Sequence, residues 1–194
     1  MTKNRLEAFS DGVLAIIITI MVLELKVPHG DDWRALLTVA PTLLTYAVSF
    51  IFIGIYWNNH HHMFHVVARV NGKILWANLH MLFWLSLVPF ATDWIGATGF
   101  KPLPVAIYGV LFLMSAIAFD LTQRMIVADQ GENSALAAAI GKNRKGNVSI
   151  ALYAIAIPLA VVNPWISIGL YSLVGLIWLV PDTRIERKFS EWKA

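Results

Sequence analysis

Long stretches of uncharged residues, separated by short polar segments, occupy most of the chain. A bilayer core about 30 Å thick is crossed by roughly 20 helical residues, so each such stretch predicts a membrane-spanning helix. Residues 148–180 carry no charge. As one helix they would be about 50 Å long, which exceeds a single crossing. Asn163-Pro164 near their middle is a turn signal and predicts two helices joined by a tight hairpin.

The pattern predicts an all-α integral membrane protein with six transmembrane helices per subunit in one domain, residues 1–194. The predicted spans are approximately 6–27, 35–58, 74–93, 103–123, 146–162 and 165–183. Asp93 is expected to end the third span, and the polar segment after the fourth leaves room for a short surface helix over 134–140. The composition agrees, because 58% of the residues are hydrophobic and only 14% are charged, whereas soluble domains carry about a quarter charged residues.

Basic residues predict the orientation, because Lys and Arg concentrate in cytoplasmic loops. With the N-terminus inside, twelve of the fifteen basic residues fall on the inner side. Those twelve are Lys3, Arg5, Arg69, Lys73, Arg124, Lys142, Arg144, Lys145, Arg184, Arg187, Lys188 and Lys193. We therefore expect both termini to be cytoplasmic and the protein to be a multi-pass protein of the cell membrane. The net charge of +3 is too small to predict a nucleic-acid partner.

The first span has one narrow face of mixed character. Advancing 100° per residue gathers five side chains on that face. They are Gly12, Ile16, Thr19, Ile20 and Leu23. Ser10 and Asp11 point elsewhere. Periodicity alone favours ordinary helix packing for this face, because Gly and Thr are common where membrane helices touch.

Asp11 needs a partner, because an unpaired carboxylate in lipid is costly. Arg5 lies six residues earlier and is not in the i,i+3 or i,i+4 relation that brings helical side chains together. Other candidates lie at the same depth in the bilayer as Asp11, at the inner ends of the second and third spans. They are Trp57, His60, Trp76, Asn78 and His80. We expect Ser10 and Asp11 to bond to indole or imidazole donors of this group, and Arg5 to meet Asp120.

Three sequence motifs resemble one known family. Residues 5–11 match R-x-x-x-F-S-D, with Phe9, Ser10 and Asp11 at its end. This pattern at the head of the first span looks like the signature of the transmembrane protein 175 family of potassium channels. The Trp57-x-x-His60-x-x-x-Phe64 pattern and the stretch LWANLHMLFWLSLVPF also resemble that family. The resemblance covers essentially the whole chain.

The resemblance implies a modestly potassium-selective cation channel that conducts passively and is not an enzyme. In the family the first span lines the pore without the usual T-V-G-Y-G filter. Carried over by distance from the motif aspartate, the constriction falls on Ile16, with further rings at Ile20 and Leu23. Thr19 matches the hydroxyl position proposed to contribute to selectivity. Animal members carry two copies of the six-span unit, so a single copy implies a homotetramer around a central pore.

The implied partners are further copies of the chain, potassium and other monovalent cations, and the lipid bilayer. No cofactor is implied beyond the permeant ions. His61 and His65 share a helical face as metal ligands would, but neither a cysteine nor a nearby carboxylate completes a site, so no metal site is predicted. The acids Glu24, Asp31, Asp32 and Asp93 lie on the predicted outer side, where they either concentrate cations or are ordinary solvated loop residues.

The alternative function is a proton-coupled secondary transporter of cations or small solutes. Such a transporter predicts an inverted repeat, broken helices in mid-membrane and a central ionisable residue. The sequence shows none of these features, since its acids cluster at the ends of spans. A membrane enzyme is disfavoured because the sequence holds no nucleophile–base pattern, no H-E-x-x-H and no phosphate-binding loop.

Overall fold

The computed structural model describes residues 2–131, 133–141 and 143–179, and every regular element in those ranges is an α-helix. The helices are α1 (Lys3–Leu23), α2 (Trp33–His65), α3 (Gly72–Ser86), α4 (Val88–Thr98), α5 (Pro102–Gln130), α6 (Ala135–Ile140), α7 (Arg144–Val162) and α8 (Pro164–Leu179). The end of the sixth predicted span lies outside the described residues. So do five residues counted as cytoplasmic: Lys142, Arg184, Arg187, Lys188 and Lys193.

Within the described ranges, five helical segments are long and apolar enough to cross a membrane. They are α1, α2, α3 together with α4, α5 and α7. The apolar helix α8 is shorter, with 16 residues up to the last described position. The chain is therefore an all-α membrane protein.

The observed helices begin and end at different residues from the predicted spans. Helix α1 ends at Leu23 rather than near residue 27, with Glu24 as its C-cap residue. Helices α2 and α5 each continue seven residues past their predicted ends. In α2, Asn59 donates to the carbonyl of Ile55 one turn earlier and His60 pairs with Asn78 of α3, so these polar residues do not end the helix.

The prediction that Asp93 ends the third span is wrong. The helix breaks only at Leu87 and then continues as α4 past Asp93. Pro89 accounts for the break, because its ring nitrogen cannot donate to the preceding turn but is tolerated in the first turn of a new helix. Helix α4 ends where Gly99 adopts a left-handed conformation with φ of 63°.

Two predicted local features are confirmed. Helices α7 and α8 are joined by Asn163 alone, and its Oδ1 accepts a hydrogen bond of 2.9 Å from the backbone N–H of Trp165. The predicted short helix is α6, whose first turn is capped by Ser134. Both connections are local, so residue types within a few positions decide them.

Helix α5 is central and packs against α3, α4, α7 and α8, whereas α1 packs against α2, α3 and α4. Gly96 lets α4 approach α2 closely, because a Cβ there would lie 2.7 Å from Thr42 Cα. Buried hydroxyls join the same helices. Thr92 Oγ1 lies 2.7 Å from Ser49 Oγ, which lies 3.0 Å from the Tyr108 hydroxyl. These contacts fix the surface on which α1 rests.

Candidate ion pathway

One face of α1 is buried against its own subunit. Its buried residues are Leu6, Ser10, Leu14, Ile17 and Met21. They follow one another at intervals of three or four, which places them along a single side of the helix. This side lies on α2, α3 and α4.

The opposite face of α1 makes few contacts within the subunit. Ile16 is 58% exposed, whereas its neighbour Ile17 is only 3% exposed. All five residues of the predicted pore face are exposed: Gly12, Ile16, Thr19, Ile20 and Leu23. Phe9 of the R-x-x-x-F-S-D motif is exposed too, and its spacing of seven residues from Ile16 aligns it with that face. The structure thus brings the predicted pore residues onto one accessible surface.

The Thr19 side chain is held against its own helix. Its Oγ1 donates toward two carbonyls of the preceding turn, at 2.8 Å from Ala15 O and 3.0 Å from Ile16 O. A hydroxyl has one hydrogen and two lone pairs. Because the hydrogen is used within the helix, the lone pairs are left to accept from the exposed side. The arrangement suits contact with a cation.

Polar contacts tie the N-terminal half of α1 to α2 and α3. The predicted indole partner of Asp11 is present, since Trp57 Nε1 donates to Asp11 Oδ1 at 3.0 Å. Asn78 Nδ2 donates to Ser10 Oγ at 3.0 Å, and Ser10 in turn donates to the carbonyl of Leu6. Asn78 Oδ1 lies 2.8 Å from His60 Nε2. Because an amide oxygen only accepts, this pairing assigns the proton of the imidazole to Nε2.

The expectation for Ser10 needs correction, because its side-chain partner is a carboxamide rather than an indole or imidazole. Within the described residues, His60 reaches Ser10 only through Asn78. We refer to Ser10, Asn78 and His60 as the buried polar chain. Each member is almost completely buried. Breaking either hydrogen bond of the chain would therefore leave a buried polar group with neither a protein partner nor water. The chain thus contributes to the stability of the contact between α1, α2 and α3.

Other predicted anchor residues lie elsewhere. Trp76 is 74% exposed, and in the described part of the chain no hydrogen bond joins its indole to α1. His80 Nε2 instead accepts from Trp84 Nε1 at 2.8 Å, one turn further along α3. Trp76 and His80 therefore share the depth of Asn78 but not its orientation.

The predicted contact between Arg5 and Asp120 is wrong. Asp120 accepts a hydrogen bond from Arg124 and another from Asn143, each at 2.6 Å. Arg124 is four residues along the same helix, so it reaches the carboxylate without any tertiary constraint. Arg5 is exposed in the subunit.

Two contacts at the same end of the helices were not predicted. Lys3 Nζ donates to the carbonyl of His65 at 2.9 Å. Asp129 at the end of α5 accepts from Arg69 at 2.9 Å and from Asn71 at 2.8 Å. For Arg69 and Asp129, the sequence did offer a signal. Their opposite charges lie in two polar segments, each of which follows a span on the predicted inner side.

The histidine cluster lies at the opposite end of the subunit from Glu24 and Asp93, two of the four predicted outer acids. The rings of His61 and His65 are 5.9 Å apart. In the described ranges no group of three His, Cys, Asp or Glu residues is arranged to hold a metal ion. At the C-terminal end of α1, an open cleft is lined by Ile20, Glu24 and Asp93 among others. Two of the four predicted outer acids therefore stand beside the exposed face of α1.

Comparisons with known proteins agree with this arrangement. A family model described as "Endosomal/lysosomal potassium channel TMEM175" matches residues 5–89. A Chryseobacterium sp. (strain P1-3) protein named "Potassium channel HX13_20290" is 58% identical over 191 residues, covering 98% of this chain and 100% of that protein. A Gallus gallus protein named "Endosomal/lysosomal proton channel TMEM175" is 34% identical over 103 residues, covering 47% of this chain and 21% of that protein.

A solved structure is also similar. It is the crystal structure of a protein from Chamaesiphon minutus described as a lysosomal potassium-selective channel TMEM175 homolog. The TM-score is 0.80 at 30% sequence identity, covering 93% of this chain and 97% of that one. Likeness in sequence and in fold therefore extends over nearly the whole chain. The chain belongs to the TMEM175 family, whose members are ion channels and not enzymes.

Proposed function

We propose that this protein is a potassium-permeable cation channel of the cell membrane, in which four copies surround a central pore lined by α1. The exposed face of α1 carries the proposal, because it combines aliphatic side chains with one hydroxyl and lies outside the contacts of the subunit. In a fourfold assembly, the four copies of this face would surround the central axis and be shielded from lipid. The names of the bacterial relatives support potassium as the permeant ion.

In the proposed topology each subunit crosses the membrane six times, with both termini in the cytoplasm. Five long apolar segments support five crossings, and α8 would supply the sixth. An even number of crossings returns the chain to its starting side. The excess of Lys and Arg on one side supports a cytoplasmic location for that side.

In the proposed mechanism, rings of Ile16, Ile20 and Leu23 form the constriction and gate the pore by excluding water when they are close together. The Thr19 oxygen replaces part of the hydration shell of a passing cation, which gives modest preference for potassium. Glu24 and Asp93 raise the local concentration of cations at the outer mouth. No chemical step is involved.

Recording from purified protein in a planar bilayer, with potassium on one side and sodium on the other, tests the proposal. We expect a reversal potential with the same sign as the potassium equilibrium potential. It should shift as the potassium gradient is changed. Ile16→Trp should block the current by filling the pore. The matched control is Ile155→Trp, because Ile155 is similarly exposed but lies on α7. Currents that follow sodium, or that survive Ile16→Trp unchanged, would contradict the proposal.

Proton permeation is a second candidate, because the chicken relative is named a proton channel. Vesicles loaded with a pH-sensitive dye separate the candidates. A potassium channel carries potassium without a pH gradient, and its reversal potential is independent of pH. Proton conduction instead acidifies vesicles placed in a more acidic, potassium-free medium when another ion compensates the charge, and a proton-coupled transporter moves both ions in a fixed ratio.

A further inference from the structure

The open cleft between the C-terminal end of α1 and helix α4 combines two kinds of side chain. Its volume is about 470 Å³, which is within the range of small-molecule sites. Two carboxylates, two aromatic rings and aliphatic surface form its wall. We refer to it as the carboxylate–aromatic cleft, and its wall includes Ile20, Glu24, Pro89, Phe90, Asp93 and Trp94.

Both carboxylates of the cleft lack a partner among the described residues. Neither the Glu24 nor the Asp93 side chain makes a hydrogen bond or an ion pair there. By contrast, Asp11, Asp120 and Asp129 each accept a hydrogen bond from another side chain. Asp93 is also partly buried, in a segment long and apolar enough to cross a membrane. Acids in such segments pair with another group or face a polar cavity, so Asp93 is available to an occupant of the cleft.

The aromatic part of the wall lies next to the acid of α4. Phe90 and Trp94 are one helical turn apart, and their ring centroids are 5.6 Å apart at an interplanar angle of 40°. Trp94 directly follows Asp93 in the chain. The face of an aromatic ring attracts an ammonium group within about 6 Å of its centroid. The same rings, with Ile20 and Pro89, also offer apolar surface to methylene groups.

This combination of groups distinguishes between classes of cation. A calcium ion takes at least six oxygen ligands, whereas the wall supplies two carboxylates from two different elements. In the described ranges no group of three His, Cys, Asp or Glu residues is arranged to hold a metal ion. Inorganic ions also make little use of methylene-binding surface. The wall therefore suits an organic cation that has two separate positive charges and an apolar body between them.

We propose that the carboxylate–aromatic cleft binds an aliphatic diamine. One ammonium group pairs with Glu24 and the other with Asp93, and the methylene chain lies against Phe90 and Trp94. Such binding goes beyond the function proposed for α1, because it requires no conduction and can be measured on protein in detergent.

The test is equilibrium dialysis of radiolabelled 1,4-diaminobutane against the purified full chain in non-ionic detergent, at constant ionic strength. Empty micelles give the background. We expect saturable binding to the protein. Butylamine has the same chain with a single ammonium group, so it should compete about fivefold more weakly. Mg²⁺ has the same charge as the diamine but no methylene chain, and it should compete no better than butylamine.

Variants with matched controls locate the binding. Asp93→Asn should weaken it about fivefold and Glu24→Gln about threefold, since each removes one charge at nearly constant volume. Asp31→Asn is the control for charge, because Asp31 is an exposed acid that does not line the cleft. Trp94→Leu should weaken binding about threefold through the lost ring face. Melting temperatures show whether each variant is folded, and the exposed position of Glu24 keeps the test decisive if Asp93→Asn or Trp94→Leu does not fold.

Three results would overturn the proposal. The absence of saturable binding above the micelle background would mean that both acids are ordinary solvated residues. Equal competition by butylamine or by Mg²⁺ would mean that the cleft does not recognise two charges on one chain. Equal losses in Asp31→Asn and Asp93→Asn would mean that the diamine responds to overall charge. Saturable binding with the expected pattern of variants, in a preparation that carries no potassium current, would support this site while contradicting the function proposed for α1.

Discussion

The two faces of α1 are similar in composition and opposite in surroundings. Ile16 and Ile17 are adjacent and identical in type, yet one is mostly exposed and the other is buried in the subunit. Each face also carries one hydroxyl, Thr19 on the exposed side and Ser10 on the buried side. Hydrophobicity therefore does not distinguish the packing face of this helix from the face that we propose lines the pore. What differs is the presence of a partner within the subunit.

The hydroxyls show the same difference at the level of hydrogen bonds. Ser10 donates within its helix and also accepts from Asn78 across the interface. Thr19 donates within its helix and, in the described part of the chain, accepts from no other residue. The Ser10 oxygen accepts a hydrogen bond that holds α1 against α3. The Thr19 oxygen has lone pairs that are available to an ion.

Ile17→Asn should have the largest effect on stability. It removes aliphatic packing and buries an amide where no partner is arranged, at a cost of about 3 kcal/mol. We expect a strong fall in melting temperature in detergent and a low yield of folded protein. Ile17→Val keeps the packing largely intact and serves as the control. A melting temperature of Ile17→Asn equal to that of the unchanged protein would contradict the assignment of this face.

Asn78→Leu should have the next largest effect, because it interrupts the buried polar chain. His60 and Ser10 would each lose a partner without gaining solvent, which costs about 2 kcal/mol. A melting curve in detergent measures the loss. Trp76→Phe is the control, since this exposed residue is two positions away on the same helix. A similar loss in both variants would mean that the effect belongs to α3 generally.

Ile16→Asn should act on conduction rather than on folding. A polar side chain at the constriction keeps water in the pore, and lowering the barrier by about 1.4 kcal/mol raises the current about tenfold. Because Ile16 is exposed in the subunit, the melting temperature should change little. Single-channel recording and melting curves on the same preparation separate the two effects. An unchanged current would remove Ile16 from the gate.

Thr19→Ala should have the smallest effect, confined to selectivity. Losing one weak oxygen ligand should reduce the preference for potassium over sodium about threefold, or less than 1 kcal/mol. The shift in reversal potential under a potassium–sodium gradient measures it. Thr19→Ser retains the hydroxyl and should leave the reversal potential where it was. If both variants behave alike, the hydroxyl has no part in selectivity.

The sequence predicted features that depend on local pattern. Period and spacing identified the exposed face of α1, and Asn163-Pro164 identified the hairpin. Tertiary partners were harder, because sequence position gives depth in the membrane but not direction around a helix. Trp76 and Asn78 lie at similar depth, yet two residues amount to about 200° of rotation, so only Asn78 turns toward Ser10.

One turn of α2 serves two interfaces, which bears on how freely this part of the sequence can change. Trp57 and His60 face the contacts with α1 and α3, while Tyr56 and Asn59 face a small pocket bounded by α5, α7 and α8. These four positions span only about 6 Å along the helix axis. Few substitutions satisfy both sides at once, so we expect a deep mutational scan to show a narrow minimum of tolerance over this turn. Exposed positions near the start of α2, such as Trp33 and Leu37, should accept many replacements by comparison.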